Sequence, residues 1–403
     1  MKFSDFPLHD SVKDSLSMMG FEKPTPIQEE AIPLIIEGHD MIACAQTGTG
    51  KTAAYLLPII SKLAEASTDH VSVNTLIICP TRELAVQIDQ QLQGFSYMSG
   101  VSSIAIYGGG DGSDFDTQKK ALSHGADVII ATPGKLISHL NMGYVKLDNL
   151  QHLILDEADR MLDMGFHDDI MRIIHFLPKK RQTLMFSATM PSKIRTLTEK
   201  LLNNPKEISI AISKPNEGIF QAAFLVYDYQ KVALAEHLLT SKELPSVVIF
   251  CGTKQYVKEL EIALKKRKIN AEAIHSDLEQ TAREDVLRRF KNRQTNVLVA
   301  TDIVSRGIDV EGISLVINFD VPKDPEDYIH RIGRTARAST KGVAFTFINE
   351  KDQFNFKRIE DLIGREIVKP PIPEALGEGP LYEPQKNKGK FPGRKPAFKK
   401  RKA

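Results

Sequence analysis

The sequence contains little cysteine, no tryptophan and no long apolar run. The three cysteines, Cys44, Cys79 and Cys251, lie far apart, which excludes a C-x-x-C metal or redox motif and argues against a disulfide framework. No apolar run approaches the ~20 residues that span a bilayer. The first ten residues, MKFSDFPLHD, carry acids where a signal peptide needs an apolar stretch. These absences predict a cytosolic protein.

The chain also lacks a large excess of charge of one sign, since its formal net charge is +2. The charge is unevenly placed, because residues 384–403 hold nine Lys and Arg residues and no acid. The rest of the chain is therefore acidic, which predicts a basic tail that makes an auxiliary contact with a polyanion. From residue 371 onward the composition is rich in Pro, Gly and Lys, and we expect a disordered tail over residues 371–403.

Short apolar, β-branched runs recur along the 403 residues, with helix-period stretches between them. In the stretch TRELAVQIDQQL, for example, Leu84, Ile88 and Leu92 fall on one helical face behind a Thr81 cap. This alternation indicates α/β sheets with parallel strands and helices on both faces. The stretch SKPNEGIFQ divides the runs into two sets. We therefore predict domains at 1–212 and 222–370, joined by a hinge at 213–221.

The stretch AQTGTGKT, residues 45–52, has the character of a phosphate-binding loop. Gly48 and Gly50 allow backbone N–H groups to turn toward a phosphate, and the following helix presents its positive end there. Lys51 can reach the β- and γ-phosphates, and the hydroxyl of Thr52 can bind Mg²⁺. The alternative is a glycine-lysine turn that only opens a helix. That alternative is weaker, because the loop follows a predicted strand and precedes a helical pattern.

A magnesium-dependent NTPase also needs an acid at the end of a second strand, and HLILDEADR supplies one. We expect Asp156 to hold Mg²⁺ through its water shell and Glu157 to orient or deprotonate the attacking water. Taken alone, an acidic cluster of this kind is more often a solvated helix start. Beside the phosphate loop it favours nucleotide hydrolysis.

Arginines follow in the second half of the chain. The stretch HRIGRTARA, residues 330–338, spaces Arg331, Arg334 and Arg337 three apart, which predicts one helical face. Guanidinium groups placed against developing charge stabilise phosphoryl transfer. The alternative, a solvated basic helix face, is the better interpretation of an isolated run.

Together these motifs resemble those of the DEAD-box ATP-dependent RNA helicases of helicase superfamily two. The resemblance covers nearly all of residues 1–370. It implies two RecA-like domains joined by a hinge, with ATP·Mg²⁺ and RNA bound across the cleft between them. It also implies RNA-stimulated ATP hydrolysis coupled to local, largely sequence-independent unwinding or remodelling. The family's phosphate loop begins with alanine, and it places nucleotide contacts at Ala45, Gln46, Thr47, Gly48, Thr49, Gly50, Lys51 and Thr52.

The same resemblance assigns further residues to the nucleotide. Phe3 matches an aromatic residue that stacks on adenine, and Gln28 matches a glutamine that reads the edge of the base. Asp309 matches a ribose-binding aspartate. Arg334 and Arg337 match arginine fingers. The stretch SAT, residues 187–189, is similar to the family's coupling motif, in which Ser187 and Thr189 exchange hydrogen bonds with the acidic cluster and His330.

The RNA-facing motifs offer hydroxyl, guanidinium and backbone donors, which recognise phosphate and sugar without reading sequence. The matching positions are Thr81, Arg82, Gly109, Thr132 and Gly134 in the first half and Thr253, Gln280, Arg283 and Thr301 in the second. Two positions depart from the family pattern. Lys135 stands where arginine is common, which replaces a bidentate contact by a point charge, and Ala336 stands where glycine is commoner.

Two other functions compete with this interpretation. One is an RNA clamp or scaffold that uses ATP for binding but seldom unwinds, and the other is a DNA helicase of the same superfamily. Phe3, Gln28 and the DEAD sequence argue against the DNA helicase. The plain tail is typical of a bacterial member of the RhlE type, and we expect a monomer that acts in ribosome assembly or RNA decay.

Overall fold

The computed structural model describes residues 1–45, 48–66, 73–109, 112–210, 218–240, 244–301, 313–335 and 342–384. Within these ranges the first sheet has seven strands in the spatial order β3-β4-β2-β5-β6-β1-β7, all paired in parallel. Their bounds are β1 Met41–Cys44, β2 Thr75–Ile78, β3 Ser103–Ile106, β4 Val128–Ala131, β5 His152–Leu155, β6 Gln182–Ser187 and β7 Lys206–Ser209.

The second sheet has six described strands in the order β10-β11-β9-β12-β13-β8, again all parallel. Their bounds are β8 Ile219–Leu225, β9 Val247–Cys251, β10 Ala271–Ile274, β11 Val297–Thr301, β12 Leu315–Asn318 and β13 Gly342–Ile348. Two parallel sheets with crossover helices are the predicted fold class, and the prediction is confirmed.

Helices connect the strands and cover both faces of each sheet. In the first domain they are α1 Asp10–Met18, α2 Pro26–Ile36, α3 Lys51–Glu65, α4 Arg82–Phe95, α5 Gly112–His124, α6 Pro133–Leu140, α7 Ala158–Asp163, α8 His167–His175 and α9 Ser192–Leu201. In the second they are α10 Lys231–Thr240, α11 Lys254–Lys266, α12 Gln280–Lys291, α13 Pro325–Ile332 and α14 Gln353–Ile363. No helix of the described ranges is long and apolar enough to cross a membrane.

Helix α4 shows how the local sequence determines an element. The Thr81 hydroxyl accepts a hydrogen bond from the Leu84 backbone N–H at 3.3 Å and caps the helix. Leu84, Ile88 and Leu92 are buried, as their spacing predicts. The cap satisfies one of the free N–H groups of the first turn, and the apolar stripe binds the helix to the sheet.

The strands are apolar on both faces because each sheet is covered on both sides. Within β2, Ile77 packs into the cluster that contains α3 and α4, whereas Leu76 and Ile78 pack into the cluster on the opposite face. The second sheet divides in the same way. Continuous apolar runs are therefore the sequence pattern of these strands, in place of the alternation found in half-exposed sheets.

The predicted hinge at 213–221 is wrong at its C-terminal end. Residues 213–217 lie outside the described residues, but Ile219 to Gln221 already belong to β8, which pairs with β13. Ile219 is buried, and the run from Ile219 to Leu225 has the apolar side chains that an edge strand packs against its helices. The other domain boundaries stay predictions.

The expectation of a disordered tail from residue 371 is wrong for residues 371–384. Residues 366–384 form a C-terminal strap that lies against the second domain, with a short 3₁₀ helix at Glu374–Leu376. The Gln230 amide donates to the carbonyls of Leu376 at 2.8 Å and Glu378 at 3.1 Å. A chain rich in proline makes few backbone hydrogen bonds of its own, and here side chains of the domain supply the partners. Residues 385–403 lie outside the described residues.

Glu360 of α14 binds the strap at several points. Its carboxylate is 2% exposed and accepts from the Ile367 N–H at 3.0 Å, the Lys369 ammonium at 2.6 Å and the Tyr382 hydroxyl at 2.8 Å. A buried carboxylate is stable only when its oxygens are paired in this way. The strap therefore depends on one acidic side chain of the domain.

We expect Glu360→Gln to loosen the strap, because the amide keeps the shape but leaves Lys369 without its counter-charge. The free energy of opening the strap, measured by hydrogen exchange of its amides, should fall by about 1–3 kcal/mol. Asp361→Asn is the control, since the Asp361 side chain is 63% exposed and pairs only at the surface with Lys357. Equal exchange in the two variants would contradict the central role of Glu360.

Candidate active site

The polar residues of the site follow the carboxyl ends of neighbouring strands. In the first sheet β5, β6 and β1 are adjacent, and they lead into the acids, the 187–189 turn and the phosphate loop respectively. Strands β3, β4 and β2 lie beside them and lead into the predicted RNA motifs. The carboxyl edge of the sheet thus carries the predicted nucleotide residues after β5, β6 and β1, and the predicted RNA residues after β3, β4 and β2.

The phosphate loop needs glycine at two positions. Gly48 and Gly50 have φ angles of +84° and +89°, in the left-handed region that favours glycine. A Cβ atom at Gly50 would lie 2.4 Å from Nε2 of Gln28, so a side chain has no space there. The Lys51 side chain is buried and donates to the Ala45 carbonyl at 2.7 Å. Gln46 and Thr47 lie outside the described residues.

The predicted adenine-reading glutamine contacts this loop. Gln28 is buried; its Nε2 donates to the Gly50 carbonyl at 3.1 Å and its Oε1 accepts from the Thr25 N–H at 2.9 Å. Phe3 lies in the apolar core at 4% exposure, with its ring against Phe6 and Phe21. The structure therefore joins Gln28 to the phosphate loop, whereas stacking of Phe3 on a base stays a prediction.

Asp156 follows β5 and is 3% exposed. Its Oδ1 accepts from the Glu157 N–H at 2.9 Å, and its Oδ2 accepts from the Tyr55 hydroxyl at 2.8 Å. Burial raises the pKa of Asp156 to about 6, an effect that the Lys51 ammonium opposes. The sequence analysis did not identify Tyr55, although its position three residues after Thr52 places both on one face of α3.

Glu157 has an unusual backbone conformation. Its φ angle of +49° is left-handed, which costs a residue with a Cβ atom roughly 1–3 kcal/mol. Its carboxylate accepts from Nη1 of Arg160 at 3.0 Å, and the Arg160 side chain is buried. Arg160 is a further residue that the sequence analysis missed, although it lies one turn along α7 from Glu157.

The 187–189 turn makes the hydrogen bonds that were expected with the acidic cluster. The Asp159 carboxylate accepts from the Ala188 N–H at 3.1 Å and from the Thr189 N–H and hydroxyl, each at 2.9 Å. The Ser187 hydroxyl donates to the Thr189 carbonyl at 2.7 Å. The acceptor is Asp159, which the sequence analysis did not single out within DEAD. A coupling role for Ser187 and Thr189 stays a prediction.

A cavity of about 480 Å³ lies between the two domains. Lys51, Glu157 and Thr189 line it from the first domain, and His330 and Arg334 line it from the second. The cavity therefore brings the predicted phosphate, water-activating and arginine-finger residues together. Arg337 and Asp309 lie outside the described residues, as does Ala336.

The prediction that Arg331, Arg334 and Arg337 share one helical face is wrong for Arg331 and Arg334. Helix α13 ends at Ile332, so Arg334 lies in the turn that follows and faces the cavity. Arg331 is buried, donates to the Asp320 carbonyl at 2.8 Å and lies over the Phe250 ring. Arg331 therefore packs inside the second domain, whereas Arg334 lines the cavity.

The predicted RNA residues of the first domain lie at the ends of β2, β3 and β4. Gly109 has a φ angle of +96°, and a Cβ atom at Gly134 would meet nothing within 4 Å, so a ligand can approach the backbone there. Thr132 precedes α6 and is half-buried. The Lys135 ammonium lies 4.6 Å from the centroid of the Phe115 ring.

The second domain mirrors this arrangement. Thr253 follows β9 and caps α11 by accepting from the Tyr256 N–H at 3.2 Å, and Thr301 ends the neighbouring strand β11. Arg283 lies in α12, and its Nε donates to the His275 carbonyl at 3.4 Å. Gln280 begins the same helix, and its side chain is outside the described residues.

Arg82 connects the two domains. Its guanidinium is 2.7 Å from the carboxylate of Glu284 in α12 and lies over the Tyr107 ring at 4.5 Å. The Arg82 side chain is 19% exposed. The sequence offered no local signal for Glu284, because the two residues are far apart in the chain. An arginine that is predicted to face RNA is thus held by a carboxylate of the other domain.

Known helicases match this chain over both of its domains. The family profile DEAD/DEAH box helicase matches residues 25–197, and the profile Helicase conserved C-terminal domain matches residues 230–339. The chain is 44% identical over 361 residues to the ATP-dependent RNA helicase CshA of Listeria monocytogenes, covering 89% of this chain and 68% of that protein. It is 40% identical to the CshA of Geobacillus kaustophilus, covering 94% and 80%. These relatives carry the name CshA, so the expected RhlE type has no support.

Solved structures of DEAD-box proteins also resemble this chain. Saccharomyces cerevisiae Dbp5 bound to RNA and ADP BeF3 is 30% identical, with a TM-score of 0.82 over 91% of this chain and 95% of that one. A DEAD box protein from Methanococcus jannaschii is 37% identical, with a TM-score of 0.53 over 92% and 99%. Fold, motif order and relatives agree, and the chain belongs to the DEAD-box ATP-dependent RNA helicases.

Proposed function

We propose that this helicase binds ATP with Mg²⁺ in the interdomain cavity and hydrolyses it when the domains close on RNA. One observation carries the proposal: Lys51 and Glu157 on one wall of the cavity face His330 and Arg334 on the other. Phosphoryl transfer needs groups at the γ-phosphate from several directions, and neither domain has all of them. Hydrolysis therefore depends on the position of both domains.

The residues present fit a magnesium ion. Thr52 and Asp156 offer oxygen ligands, which Mg²⁺ prefers, and the described residues contain no cluster of three or more His, Cys, Asp or Glu that would hold a metal by themselves. Mg²⁺ in such sites is bound by one or two carboxylates together with substrate phosphates and water. When bound, it would neutralise charge on the β- and γ-phosphates.

Side chains of the protein bind the phosphates, activate the water and stabilise the developing charge. Lys51 now binds the Ala45 carbonyl, and we propose that it turns to the phosphates when nucleotide enters. Glu157 orients or deprotonates the attacking water, and Arg160 holds its carboxylate beside the cavity. Arg334 stabilises the charge that develops on the phosphoryl oxygens.

RNA binding drives the closure in this proposal. The predicted RNA contacts lie at the strand ends of both domains, so an RNA strand that spans them favours the closed arrangement. Contacts made by backbone and hydroxyl donors favour little sequence preference. Bending one strand during closure would separate a short duplex locally.

An RNA clamp that seldom unwinds remains the second candidate. Duplex displacement measured beside ATP hydrolysis separates the two, because a clamp hydrolyses ATP without releasing a strand. We further propose a cytoplasmic monomer that acts in ribosome assembly or RNA decay, with the basic residues 385–403 as an RNA tether. Support for the cytoplasm comes from the three cysteines, which form no disulfide, and of which Cys79 and Cys251 are buried.

The first test concerns catalysis. Lys51→Ala should weaken ATP binding, whereas Glu157→Gln should keep ATP binding and lower turnover by about 10²–10⁴-fold, because it removes only the group that acts on water. Nucleotide titration and steady-state hydrolysis at saturating RNA measure the two effects. Normal turnover of the Glu157→Gln protein would contradict the proposed role of Glu157.

A second test concerns the opposite wall of the cavity. Arg334→Gln should lower the turnover number by about 10³-fold and leave ATP affinity nearly unchanged, since the guanidinium acts on charge that develops during reaction. Arg288→Gln is the matched control, because Arg288 is 70% exposed and pairs with Asp285 at the surface. A loss of the same size in both variants would point to misfolding and contradict the specific role of Arg334.

The ion pair between Arg82 and Glu284 generates a third test. If RNA phosphate competes with Glu284 for the guanidinium, Glu284→Gln should tighten RNA binding by up to about fivefold, the range of an exposed ion pair. Arg82→Gln should weaken binding and reduce the salt slope by about 0.7. RNA affinity at several salt concentrations measures both.

Asp285→Asn serves as the control for Glu284→Gln, because it removes the same charge one residue further along α12. An equal gain in RNA affinity would mean that only the overall charge of the helix matters. Weaker binding by Glu284→Gln would show instead that the ion pair supports closure of the domains.

A further inference from the structure

The hydroxyl of Tyr55 is a buried polar group beside Asp156, an acid of the proposed metal site. Tyr55 is fully buried in α3, and its hydroxyl donates to Oδ2 of Asp156 at 2.8 Å. Thr52 lies one turn before Tyr55 in the same helix. The tyrosine hydroxyl therefore joins the helix that follows the phosphate loop to the acid that follows β5.

Helix geometry explains how Tyr55 reaches Asp156. Thr52 and Tyr55 are three residues apart in the first turns of α3, so they share a face. Side chains on a helix lean toward its N-terminus, which directs the Tyr55 ring back toward the loop. Asp156 is delivered to the same place by β5, which is separated from β1 only by β6.

Packing alone accounts for the ring but not for its hydroxyl. The Tyr55 ring lies 5.0 Å from the Phe186 ring centroid in the apolar core, where a phenylalanine would occupy the same space. A buried hydroxyl is costly unless it has a partner, and a bond to a carboxylate is among the stronger ones. The hydroxyl is therefore explained by what it does to Asp156.

Both oxygens of Asp156 have a donor in this arrangement. Oδ1 accepts from the Glu157 N–H and Oδ2 from Tyr55, which together fix the plane of the carboxylate. Without the tyrosine donor, the carboxylate could rotate about its side-chain bonds. Partners that orient metal-binding side chains commonly change metal affinity by about 10–100-fold when removed.

We propose that Tyr55 is a positioning residue, whose hydroxyl holds Asp156 in the orientation that accepts the magnesium complex of the nucleotide. The inference rests on the proposed use of Mg²⁺ by Asp156. Tyr55 touches neither nucleotide nor water in this role. It acts through the carboxylate that it holds.

Tyr328 provides a matched comparison in the second domain. It is equally buried, and its hydroxyl donates to the Gln221 amide oxygen at 3.1 Å, away from the cavity. Tyr328→Phe therefore removes the same hydroxyl from the same kind of environment. A purely structural role for Tyr55 predicts that the two variants behave alike.

The experiment measures ADP affinity of the full chain by calorimetry, once with Mg²⁺ and once with EDTA. Tyr55→Phe should weaken binding by about tenfold with Mg²⁺ and leave binding in EDTA unchanged. Tyr328→Phe should leave both affinities unchanged. Thermal unfolding of both variants reports that each remains folded, which the retained ring packing on Phe186 favours.

Three outcomes would overturn the inference. If Tyr55→Phe keeps the full effect of Mg²⁺ on affinity, the hydroxyl does not position Asp156. If its affinity falls equally in Mg²⁺ and EDTA, the role is structural. If the wild type binds ADP equally well in both conditions, the proposed use of Mg²⁺ is wrong. The proposed role of Tyr55 is then wrong as well, because it rests on that use.

Discussion

Parallel strand pairing is the constraint on which this molecule depends. Because every described strand of a sheet runs in the same direction, each delivers the residues that follow it to one edge. The phosphate loop, the acids and the 187–189 turn meet there, although the loop is more than a hundred residues from the other two in sequence. The helices that make parallel pairing possible also bury both faces, so the sheet is rigid where the chemistry needs fixed positions.

The site is divided between two such sheets, so its assembly depends on how the two rigid domains are placed relative to each other. Each domain holds its own groups by internal bonds, such as those of Asp159 to the 187–189 turn and of Arg331 to Asp320. Only the distance between the domains is left to vary, and a ligand that binds both domains changes it. Arg82 and Glu284 show that charged groups near the predicted RNA contacts also pair across the gap between the domains.

The sequence predicted those features that depend on neighbours in the chain. The glycines of the phosphate loop, the cap at Thr81 and the apolar strands each follow from a few adjacent residues. Contacts made by folding could not be predicted, and Tyr55 with Asp156 and Arg82 with Glu284 are such contacts. The end of α13 at Ile332 and the packing of the strap depend on tertiary partners such as Asp320 and Gln230, which override local composition. For the same reason, a rule of three-residue spacing could not place Arg331 inside the domain.

The C-terminal strap has a consequence for the solubility of the second domain. Strand β8 is the last strand of its sheet, and the open side of such a strand is a template for pairing with another chain. Val368 covers part of it, since its carbonyl accepts from the Ala223 N–H at 2.9 Å in a parallel bridge. Gly379 passes so close to Leu225 that a Cβ atom would lie 2.0 Å from its carbonyl oxygen. By covering the edge of β8, the strap protects the second domain from aggregation by strand pairing. A chain that ended before the strap would expose this edge.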